Sequence, residues 1–447
     1  MIDGTLRVGV LGCGNVGGAL VTILGRDRDH LAARTGLDLV VTRVAVRSTA
    51  RERAWPVDPA LLTTDAAGLA GDPDIDLLVE VIGGIEPART LILTALKAGK
   101  PVVTANKELI ANVGQELFEA ASAAGVDLLF EAAVGGGIPL IRPLRESLAG
   151  ERIHRLTGIV NGTTNFILTR MSEQGASYSD ALAEAQQLGY AERDPTADVE
   201  GFDAAAKAAI MASIAFGTRV VAGDVYREGI SGITAADIAF AARLGYVVKL
   251  VAVAERLDDT PGGGVPAGPA EGPEVTVRVH PAMVPATHPL AAVRDSFNAV
   301  FIEGQAVGEL MLYGRGAGGM PTASAVLGDL LDAAHNLRSG GVGRFVAPLP
   351  ARLRSIDNLS SAYYLELEVI DRPGVLEKVA GVLGRHRVSI QSMEQVGLAG
   401  DRAEGQARLV FITHQAVERE VQACLAELRA LDVVSSVGTL LRVLGPS

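Results

Sequence analysis

Residues 189–207, GYAERDPTADVEGFDAAAK, place five acidic side chains ahead of a single lysine, Lys207. Only six of the 40 lysine and arginine residues in the chain are lysines, so this one calls for an explanation. Asp203 and Lys207 are four residues apart and share one face of a predicted helix. A buried lysine paired with a carboxylate stays protonated yet can release a proton, as the general acid of a carbonyl reduction must. The same spacing is typical of a surface ion pair, so both interpretations stay open on spacing alone.

The N-terminal segment LRVGVLGCGNVGGAL could bind a nucleotide. It places Gly12, Gly14 and Gly17 directly after a predicted strand and at the start of a predicted helix. Glycines at these positions permit a tight turn, the approach of a pyrophosphate to the backbone, and close packing of helix on strand. A turn that serves structure alone is the alternative. The surrounding strand–helix–strand pattern favours a dinucleotide site.

The residue after the second strand bears on the choice of dinucleotide. That strand is predicted to end at Ala45-Val46, where an acidic residue would select NAD through the ribose hydroxyls. Arg47 follows instead, with Arg51 nearby. A guanidinium suits a 2′-phosphate, so the pattern favours NADP, with NAD possible. A solvated surface arginine is the alternative interpretation.

Three regions of the chain are predicted to position these residues. Short apolar runs alternate with amphipathic segments up to residue 136, which predicts βαβ units in a Rossmann-type, doubly wound parallel sheet. Residues 137–314 have an α+β pattern and open with a predicted helix over 138–148. Residues 361–447 follow the order strand, helix, strand, strand, helix, strand. A Gly/Pro-rich stretch, residues 260–274, is predicted to be a loop.

Two predicted helices carry the acidic segment and its lysine. The first covers YSDALAEAQQLG, with Ser179 as its N-cap and Gly189 just past its end. The second covers GFDAAAKAAIMASIAFG and is closed by Gly217. Alanines surround Lys207, so the second helix is predicted to be buried and to allow close approach of another group.

Composition and charge exclude several classes of protein. The chain has 447 residues and a net charge of −12, which argues against nucleic acid or an anionic membrane as its partner. No apolar run approaches the ~20 residues of a membrane helix. The N-terminus lacks the pattern of a signal peptide, and a cytoplasmic protein is predicted. Cys13 and Cys424 form neither a disulfide framework nor a metal-ligand spacing.

The central segment resembles the signature of a known family. GIVNGTTNFILTRM (158–171) followed by EAQQLGYAERDPTADVEGFDAAAK is similar to the signature of homoserine dehydrogenases. GCGNVG, TANK, EAAVGGGIP and GRGAGGMPTASAVLGD match further segments of that family in the same order, so the resemblance covers residues 5–335. It implies reversible, NAD(P)H-dependent reduction of L-aspartate 4-semialdehyde to L-homoserine, on the route to threonine, methionine and isoleucine. It also implies a dinucleotide-binding domain over 1–136, completed by 315–345, and a catalytic, substrate and dimerisation domain over 137–314.

The resemblance implies roles for residues at matching positions. Lys207 matches the family's proton donor, Asp203 the carboxylate beside the substrate hydroxyl, and Lys107 a lysine that reaches both cofactor and substrate. Glu192 matches the residue that binds the amino-acid substrate, through its ammonium group. The rest of the substrate pocket corresponds to Gly162, Thr163 and Tyr190. The cofactor contacts, besides Arg47 and Lys107, correspond to Gly12, Cys13, Gly14, Asn15, Val16, Gly17, Gly189 and Gly318.

The segment EAAVGGGIP resembles the family's monovalent-cation loop. Glu131, Val134, Gly136 and Ile138 would supply oxygens to a cation, Na⁺ by preference. Backbone carbonyls in a glycine-rich loop suit such a weakly charged, hard cation. An ordinary tight turn is the alternative.

The C-terminal unit, residues 361–447, resembles an ACT domain, an amino-acid-sensing module. DRPGVLEKVAGVLG (371–384) matches its strand–turn–helix opening, with Pro373-Gly374 at the turn. Such modules usually pair across subunits and bind an amino acid at the interface. The resemblance therefore implies a homo-oligomer, dimer or tetramer, with threonine as effector, although a silent module is the alternative.

Two other functions fit these residues less well. A dehydrogenase acting on acyl phosphates needs a cysteine nucleophile, and neither Cys13, in the glycine loop, nor Cys424, in a C-terminal helix, suits that role. A catalytically silent amino-acid sensor on the same fold would have no need of intact Lys107, Glu192, Asp203 and Lys207.

Overall fold

The structure is a computed structural model that describes residues 4–257, 272–343, 348–397 and 405–445. Except for residues 272–274, the predicted loop at 260–274 lies outside the described residues. None of the helices in this part of the chain is both long enough and apolar enough to cross a membrane.

The N-terminal unit is a parallel sheet of six strands in the order β3-β2-β1-β4-β5-β6. Its strands are β1 (Leu6–Leu11), β2 (Leu39–Ala45), β3 (Leu62–Thr63), β4 (Leu77–Glu80), β5 (Val102–Thr104) and β6 (Leu128–Leu129). Its helices are α1 (Asn15–Arg26), α2 (Arg28–Thr35), α3 (Ala66–Gly71), α4 (Ala88–Lys97) and α5 (Lys107–Ala124). The strand order reverses between β1 and β4, which opens a crevice at their carboxyl ends where dinucleotides bind. The predicted Rossmann-type sheet is confirmed.

The middle unit is built on antiparallel strands in the order β13-β12-β7-β10-β11. Its strands are β7 (Ile153–Ile159), β8 (Thr218–Arg219), β9 (Tyr226–Arg227), β10 (Tyr246–Arg256), β11 (Glu274–Pro285), β12 (Phe297–Gly304) and β13 (Gly308–Arg315). Its helices are α6 (Gly162–Gln174), α7 (Tyr178–Gln187), α8 (Thr196–Val199), α9 (Phe202–Phe216) and α10 (Ala235–Arg243). The next helix, α11 (Gly319–Ser339), leaves this unit and packs on α1 and the N-terminal sheet.

The C-terminal unit has its long elements in the predicted order and three two-residue strands besides them. They are β14 (Leu349–Pro350), β15 (Arg352–Leu353), β16 (Ser360–Ile370), α12 (Val375–Arg385), β17 (Ile390–Gly397), β18 (Gln406–Thr413), β19 (Ala416–Val417), α13 (Glu418–Arg429) and β20 (Val434–Val443). The four long strands lie in the order β20-β16-β18-β17, and the two helices bury a core of their own against them. This βαββαβ unit is not separate from the middle unit, because β20 pairs in parallel with β11 and the two sheets become one.

Two local predictions were wrong in their bounds. The helix predicted over 138–148 spans only 141–147, with a π-helical turn at Pro143–Ser147, and the Glu131 carboxylate caps its start by accepting from the N–H groups of Ile141 and Arg142. The predicted cap at Ser179 lies inside α7: the N-cap is Ser177, whose hydroxyl accepts from the Asp180 N–H at 3.2 Å.

Helix α9 is buried for a reason visible in its sequence. Four of its alanines, Ala204, Ala205, Ala208 and Ala209, are at most 2% exposed and pack in the core shared with β10 and β11. Small side chains let the helix backbone lie close to the sheet. Gly217 closes the helix in a left-handed conformation, as predicted, with a φ of +62°.

Candidate active site

The glycine loop lies where β1 ends and α1 begins. Gly12 has a φ of +103°, and its N–H donates to the Ala45 carbonyl at 2.9 Å. A Cβ at Gly17 would lie 2.1 Å from the Gly12 carbonyl oxygen, so only glycine fits there. Among the described residues, no atom lies within 4 Å of a Cβ built on Gly14, which precedes α1. The first N–H groups of α1 therefore face open space, as a bound pyrophosphate requires.

The start of α11 closes one side of this loop. Cys13 lies in the loop, and Asn15 and Val16 form the first turn of α1. A Cβ at Gly319 would lie 2.8 Å from the Asn15 carbonyl oxygen, which brings α11 and its N-cap residue Gly318 directly against the loop. The predicted cofactor residues from the two ends of the dehydrogenase segment thus meet in space.

The segment after β2 presents an arginine beside the same loop. Arg47 is exposed, and within the described chain it has no ion-pair partner. Arg53, which the sequence did not single out, donates to the carbonyls of Ser48 and Arg51 at 2.7 and 2.8 Å and holds the segment in a compact loop. Since β1 and β2 are neighbouring parallel strands, Arg47 lies at the edge of the sheet where the glycine loop lies.

Asp203, Lys207 and Lys107 meet at the start of α9. Lys207 Nζ donates to Asp203 Oδ2 and to the Val160 carbonyl, both at 2.7 Å. Lys107 Nζ lies 3.1 Å from Asp203 Oδ1, so each carboxylate oxygen has a lysine. The side chains of Asp203 and Lys207 are only 10% and 12% exposed, whereas that of Lys107 is 43% exposed. The pair four residues apart is therefore a largely buried pair, and not a surface ion pair.

Burial and charge act in opposite directions on Asp203. Burial alone would favour the neutral acid, yet the charges of Lys207 and Lys107 and the hydrogen bonds hold its pKa well below its usual range. In turn, the charge of Asp203 raises the pKa of Lys107, against the effect of burial. Two lysines fixed around one carboxylate leave the site able to stabilise a negatively charged oxygen that develops nearby.

Asn161, which sequence reasoning missed, connects Asp203 to a second acid. Its Nδ2 donates to Asp203 Oδ2 at 2.9 Å and to Asp198 Oδ1 at 2.7 Å. Its Oδ1 accepts from the Thr164 N–H at 2.8 Å and so caps α6. Burial, helped by the charge of Asp203, raises the pKa of Asp198, in contrast to that of Asp203. An asparagine directly before a helix is an N-cap signal and could have identified Asn161.

Lys107 is held from the N-terminal sheet. It is the first residue of α5, whose N-cap Asn106 donates from Nδ2 to the Gly84 carbonyl at 2.6 Å. Glu80, fully buried at the end of β4, accepts from the Thr104 hydroxyl at 2.6 Å and anchors the strand before Asn106. The two lysines therefore come from different units, and the site lies between them.

Three predicted substrate residues cluster on α6 and the turn after α7. The Thr163 hydroxyl donates to the Tyr190 carbonyl at 2.7 Å. The ring of Tyr190, 43% exposed, lies 5.0 Å from that of Phe166. Gly162 begins α6, and a Cβ there would lie 2.7 Å from the Ser296 carbonyl oxygen, so the helix start is tightly enclosed.

Glu192 and Gly189 lie in the same turn, and neither bonds to the lysine cluster, which consists of Lys107, Lys207 and Asp203. The Glu192 side chain is exposed, and in the described part of the chain its carboxylate has no hydrogen-bond partner. The Gln186 side chain fixes only the Glu192 carbonyl, at 3.1 Å. Gly189, with a φ of +77°, ends α7 and turns the chain. The Glu192 carboxylate is thus available to an ammonium group from a ligand.

The segment predicted to hold a cation is a buried loop between the first two units. The Glu131 carboxylate accepts from the N–H groups of Leu140, Ile141 and Arg142, the last two at 2.8 and 2.7 Å. Its side chain is therefore committed, and the oxygens left for an ion are the main-chain carbonyls, including those of Val134, Gly136 and Ile138. Carbonyl ligands alone fit a monovalent ion better than a transition metal. The described residues contain no group of three or more His, Cys, Asp or Glu side chains that could hold a metal ion.

Neither cysteine is activated as a nucleophile. Burial raises the pKa of the Cys13 thiol and raises that of Cys424, inside α13, to about 12. A thiol with a raised pKa is a poor nucleophile at neutral pH.

Comparison with known proteins agrees with this geometry. Residues 12–131 match the family model described as the NAD-binding domain of homoserine dehydrogenase, residues 139–331 that of homoserine dehydrogenase, and residues 363–433 the ACT domain. The homoserine dehydrogenase of Mycobacterium tuberculosis is 49% identical over 443 residues, which cover 98% of this chain and 97% of that protein.

Solved structures show the same similarity. A homoserine dehydrogenase from Thiobacillus denitrificans superposes with a TM-score of 0.88 at 40% identity, over 99% of this chain and 98% of that one. A hyperthermophilic archaeal homoserine dehydrogenase in complex with NADPH superposes with a TM-score of 0.60 at 29% identity, over 74% of this chain and 98% of that one.

Proposed function

The chain belongs to the homoserine dehydrogenase family, and from this we propose that it reduces L-aspartate 4-semialdehyde reversibly to L-homoserine, on the route to threonine, methionine and isoleucine. The observation that carries the proposal is the buried carboxylate of Asp203 bonded to two lysines, one from each of the first two units. A catalytically silent sensor would have no need to bury the charged pair of Asp203 and Lys207 with a second lysine beside it.

The arrangement gives each residue a role. A bound reduced nicotinamide supplies the hydride that reaches the aldehyde carbon. Lys207 gives a proton to the aldehyde oxygen as the carbon–oxygen double bond becomes a single bond, and is reprotonated from solvent. Asp203 keeps Lys207 in place and charged until then, while Lys107, half-exposed, faces both substrate and cofactor. Glu192 takes the substrate ammonium, and Gly162, Thr163 and Tyr190 enclose the rest.

We further propose NADP as the preferred cofactor, with NAD possible. The first turn of α1 and Gly14 leave room for a pyrophosphate, and Arg47, exposed and without an ion-pair partner among the described residues, could meet a 2′-phosphate. The NADPH complex of an archaeal relative supports this choice. We also propose that a sodium ion, held by the main-chain carbonyls near Glu131, stabilises the contact between the first two units.

Threonine is the proposed effector of the C-terminal unit. A groove of about 430 Å³ opens beside the turn at Pro373-Gly374 and is bordered by Asp371, Arg372 and Gln395. An amino acid needs a protein carboxylate that binds its ammonium group and N–H donors that bind its own carboxylate. The acidic side chain of this groove and the open start of α12 provide these two features. A homodimer or homotetramer in the cytoplasm is also proposed. Exposed Met311 and Tyr313 on β13, at one edge of the large sheet, support contact between copies.

One assay tests the proposed reaction. The full chain is mixed with L-homoserine and NADP or NAD, and the reduced nicotinamide is followed by its absorbance, with Lys97→Ala as the control. Lys97 is an exposed lysine at the end of α4, so its loss should leave turnover at the parent level. Turnover by the parent and by Lys97→Ala supports the proposal, and its absence with both cofactors contradicts it.

A further inference from the structure

A short segment, residues 226–230, lies directly behind the start of α9. The Ile230 N–H donates to the Val199 carbonyl at 2.8 Å, and the Glu228 N–H donates to the Val279 carbonyl on β11 at 2.8 Å. The Arg227 guanidinium carbon lies 3.8 Å from the centroid of the Phe202 ring, on the first residue of α9. The segment is therefore bonded to β11 on one side and to the turn before α9 on the other.

The backbone of this segment and the backbone of that turn pack so closely that a displacement of one moves the other. Gly201 is the N-cap of α9 with a φ of +79°, and a Cβ there would lie 3.3 Å from the Glu228 carbonyl oxygen. A Cβ at Gly229 would lie 2.5 Å from the Val199 carbonyl oxygen. Packed backbone of this kind moves as a unit, because no gap can absorb a displacement. Asp203 is two residues beyond Gly201, in the first turn of α9.

The side chain of Glu228 is held by the C-terminal unit. Arg442, on β20, donates from Nη1 to Glu228 Oε1 at 2.8 Å. Its Nε and Nη2 donate to the two oxygens of Glu418 at 2.9 and 2.8 Å. The bidentate bond to Glu418 fixes the plane of the guanidinium, so the remaining donor points to Glu228 in one direction only. The backbone around Arg442 is also fixed, since it pairs with Ala282 of β11.

The network around Arg442 is shielded from solvent. The side chains of Arg442 and Glu418 are 4% and 3% exposed, and that of Glu228 is 30% exposed. Burial disfavours the guanidinium charge, but the two carboxylates raise the pKa of Arg442 above its usual value. The Tyr226 hydroxyl also donates to Glu228, and burial, together with that bond, raises the pKa of Tyr226 to about 12. A buried network of this kind holds one arrangement because breaking any bond leaves an unpaired charge.

We propose that Glu228, held by Arg442, is a positioning residue for the dehydrogenase reaction. It fixes where α9 begins and thereby where Asp203 stands between Lys107 and Lys207. The last strand of the C-terminal unit thus takes part in the catalytic geometry although it contributes no group to the site. The inference rests on the proposed role of Asp203 and is independent of the proposed effector.

The test is Glu228→Gln in the full chain. This variant keeps the Arg442–Glu418 bond inside the C-terminal unit and removes only the charge that crosses to the middle unit. We expect kcat for homoserine oxidation to fall about tenfold, as misplacement of a catalytic group by a fraction of an ångström does. The KM for NADP should stay within about twofold of the parent value, because the glycine loop is on another unit. Arg442→Lys should give an intermediate kcat, since lysine keeps the positive charge but cannot form the bidentate bond to Glu418.

The matched control is Glu274→Gln. It removes a bidentate bond from Arg354, at 2.7 and 2.8 Å, at the other end of the same strand β11. Its kcat should equal that of the parent. An equal fall in both variants, a Glu228→Gln protein that does not fold, or a lower melting temperature with parent kcat would each overturn the proposal, because each assigns the network to stability alone.

Asp203→Asn is measured beside these variants to separate two failures. If Asp203→Asn is impaired and Glu228→Gln is not, the positioning role is wrong and the role of Asp203 stands. If Asp203→Asn keeps the parent kcat, the proposed role of Asp203 is wrong and the positioning role falls with it.

Discussion

The lysine cluster at Asp203 and the arginine loop after β2 both present cations to a ligand, but in opposite surroundings. In the cluster, Lys207 is 12% exposed and bonded to Asp203 and to a main-chain carbonyl. In the loop, Arg47 is exposed and has no ion-pair partner among the described residues. One cation is held by bonded partners before a ligand arrives, and the other has no such partner among the described residues.

This difference sets how much each cation can contribute. Interactions between buried, fixed groups are weakly screened and need no reorganisation during the reaction, so they act on the rate. An exposed guanidinium is screened by water and salt, so it acts on the choice of ligand by a smaller amount. We therefore expect substitutions in the cluster to change kcat strongly, and substitutions in the loop to change the cofactor ratio modestly.

Removing the proton donor should have the largest effect. Lys207→Ala should lower kcat about 10²–10⁴-fold, the usual contribution of a general acid, while homoserine and NADP still bind. Steady-state kinetics of homoserine oxidation measure the rate, and calorimetry measures cofactor binding. A kcat within about threefold of the parent would exclude the proton-donor role.

Lys207→Arg separates proton transfer from charge. Arginine keeps the cation next to Asp203 but does not release its proton at any pH used for the assay. If the role is proton transfer, Lys207→Arg should be nearly as slow as Lys207→Ala. Recovery to the parent rate would mean that the positive charge alone matters.

Removing the carboxylate should have the next largest effect. Asp203→Asn keeps the size of the side chain and its place beside Asn161 but leaves two lysines without their anion, and a fall of roughly 10–100-fold in kcat is expected from their displacement. Because Asp203 is the main cause of the raised pKa of Lys107, its loss should lower that pKa. The basic limb of the pH–rate profile should then move to lower pH. A limb that stays in place would show that Lys107 does not control it.

The sequence predicted the parts of this site that are local. The glycine loop, the spacing of Asp203 and Lys207, and the end of α9 at Gly217 each depend on a few neighbouring residues, and the structure shows them as expected. The predicted cap at Ser179 was wrong by two residues, because Ser177 satisfies the same local rule for a helix start. Only the path of the chain before the helix decides between them.

The parts that the sequence did not predict depend on distant contacts. Asn161 meets Asp198 and Asp203, which lie 37 and 42 residues further along the chain. Arg442 meets Glu228 across 214 residues. No periodicity or spacing encodes such a pair, because it is created when two strands of different units become neighbours. The bounds of the short helix after Glu131 were also not predicted, since the carboxylate that accepts from its first N–H groups lies outside the helix, 10 residues before Ile141.

Reversing the charge in the arginine loop should have a smaller effect. Arg47→Asp should lower the NADP-to-NAD ratio of kcat/KM by about tenfold, because the carboxylate repels a 2′-phosphate and can accept from ribose hydroxyls. The change should shrink as ionic strength rises, as expected for an exposed charge.

The control for this substitution is Arg34→Asp. Arg34 is exposed near the end of α2, so the change in net charge is the same and the glycine loop is untouched. The cofactor ratio should stay at the parent value. An unchanged ratio in Arg47→Asp as well would make Arg47 a surface residue without a role in cofactor choice.

The smallest effect on the uninhibited rate is expected at the proposed effector site of the C-terminal unit, which contributes no group to the reaction. Gly374 precedes α12 with a φ of +87°, and no described atom lies within 4 Å of a Cβ built there, so Gly374→Ala strains the turn without a clash. By linkage, an effector shifts activity only as far as its affinity differs between two states, commonly about 1–3 kcal/mol. A strained turn should weaken threonine binding and raise the half-inhibitory concentration about fivefold, with kcat near the parent value.

Gly384→Ala, inside the same helix and also in open space, is the matched control and should leave inhibition unchanged. Point substitutions are preferred to removal of the unit, because β20 is a strand of the middle sheet and carries Arg442. Equal inhibition of all three proteins would place the effector site elsewhere, and no inhibition of any would show a silent module.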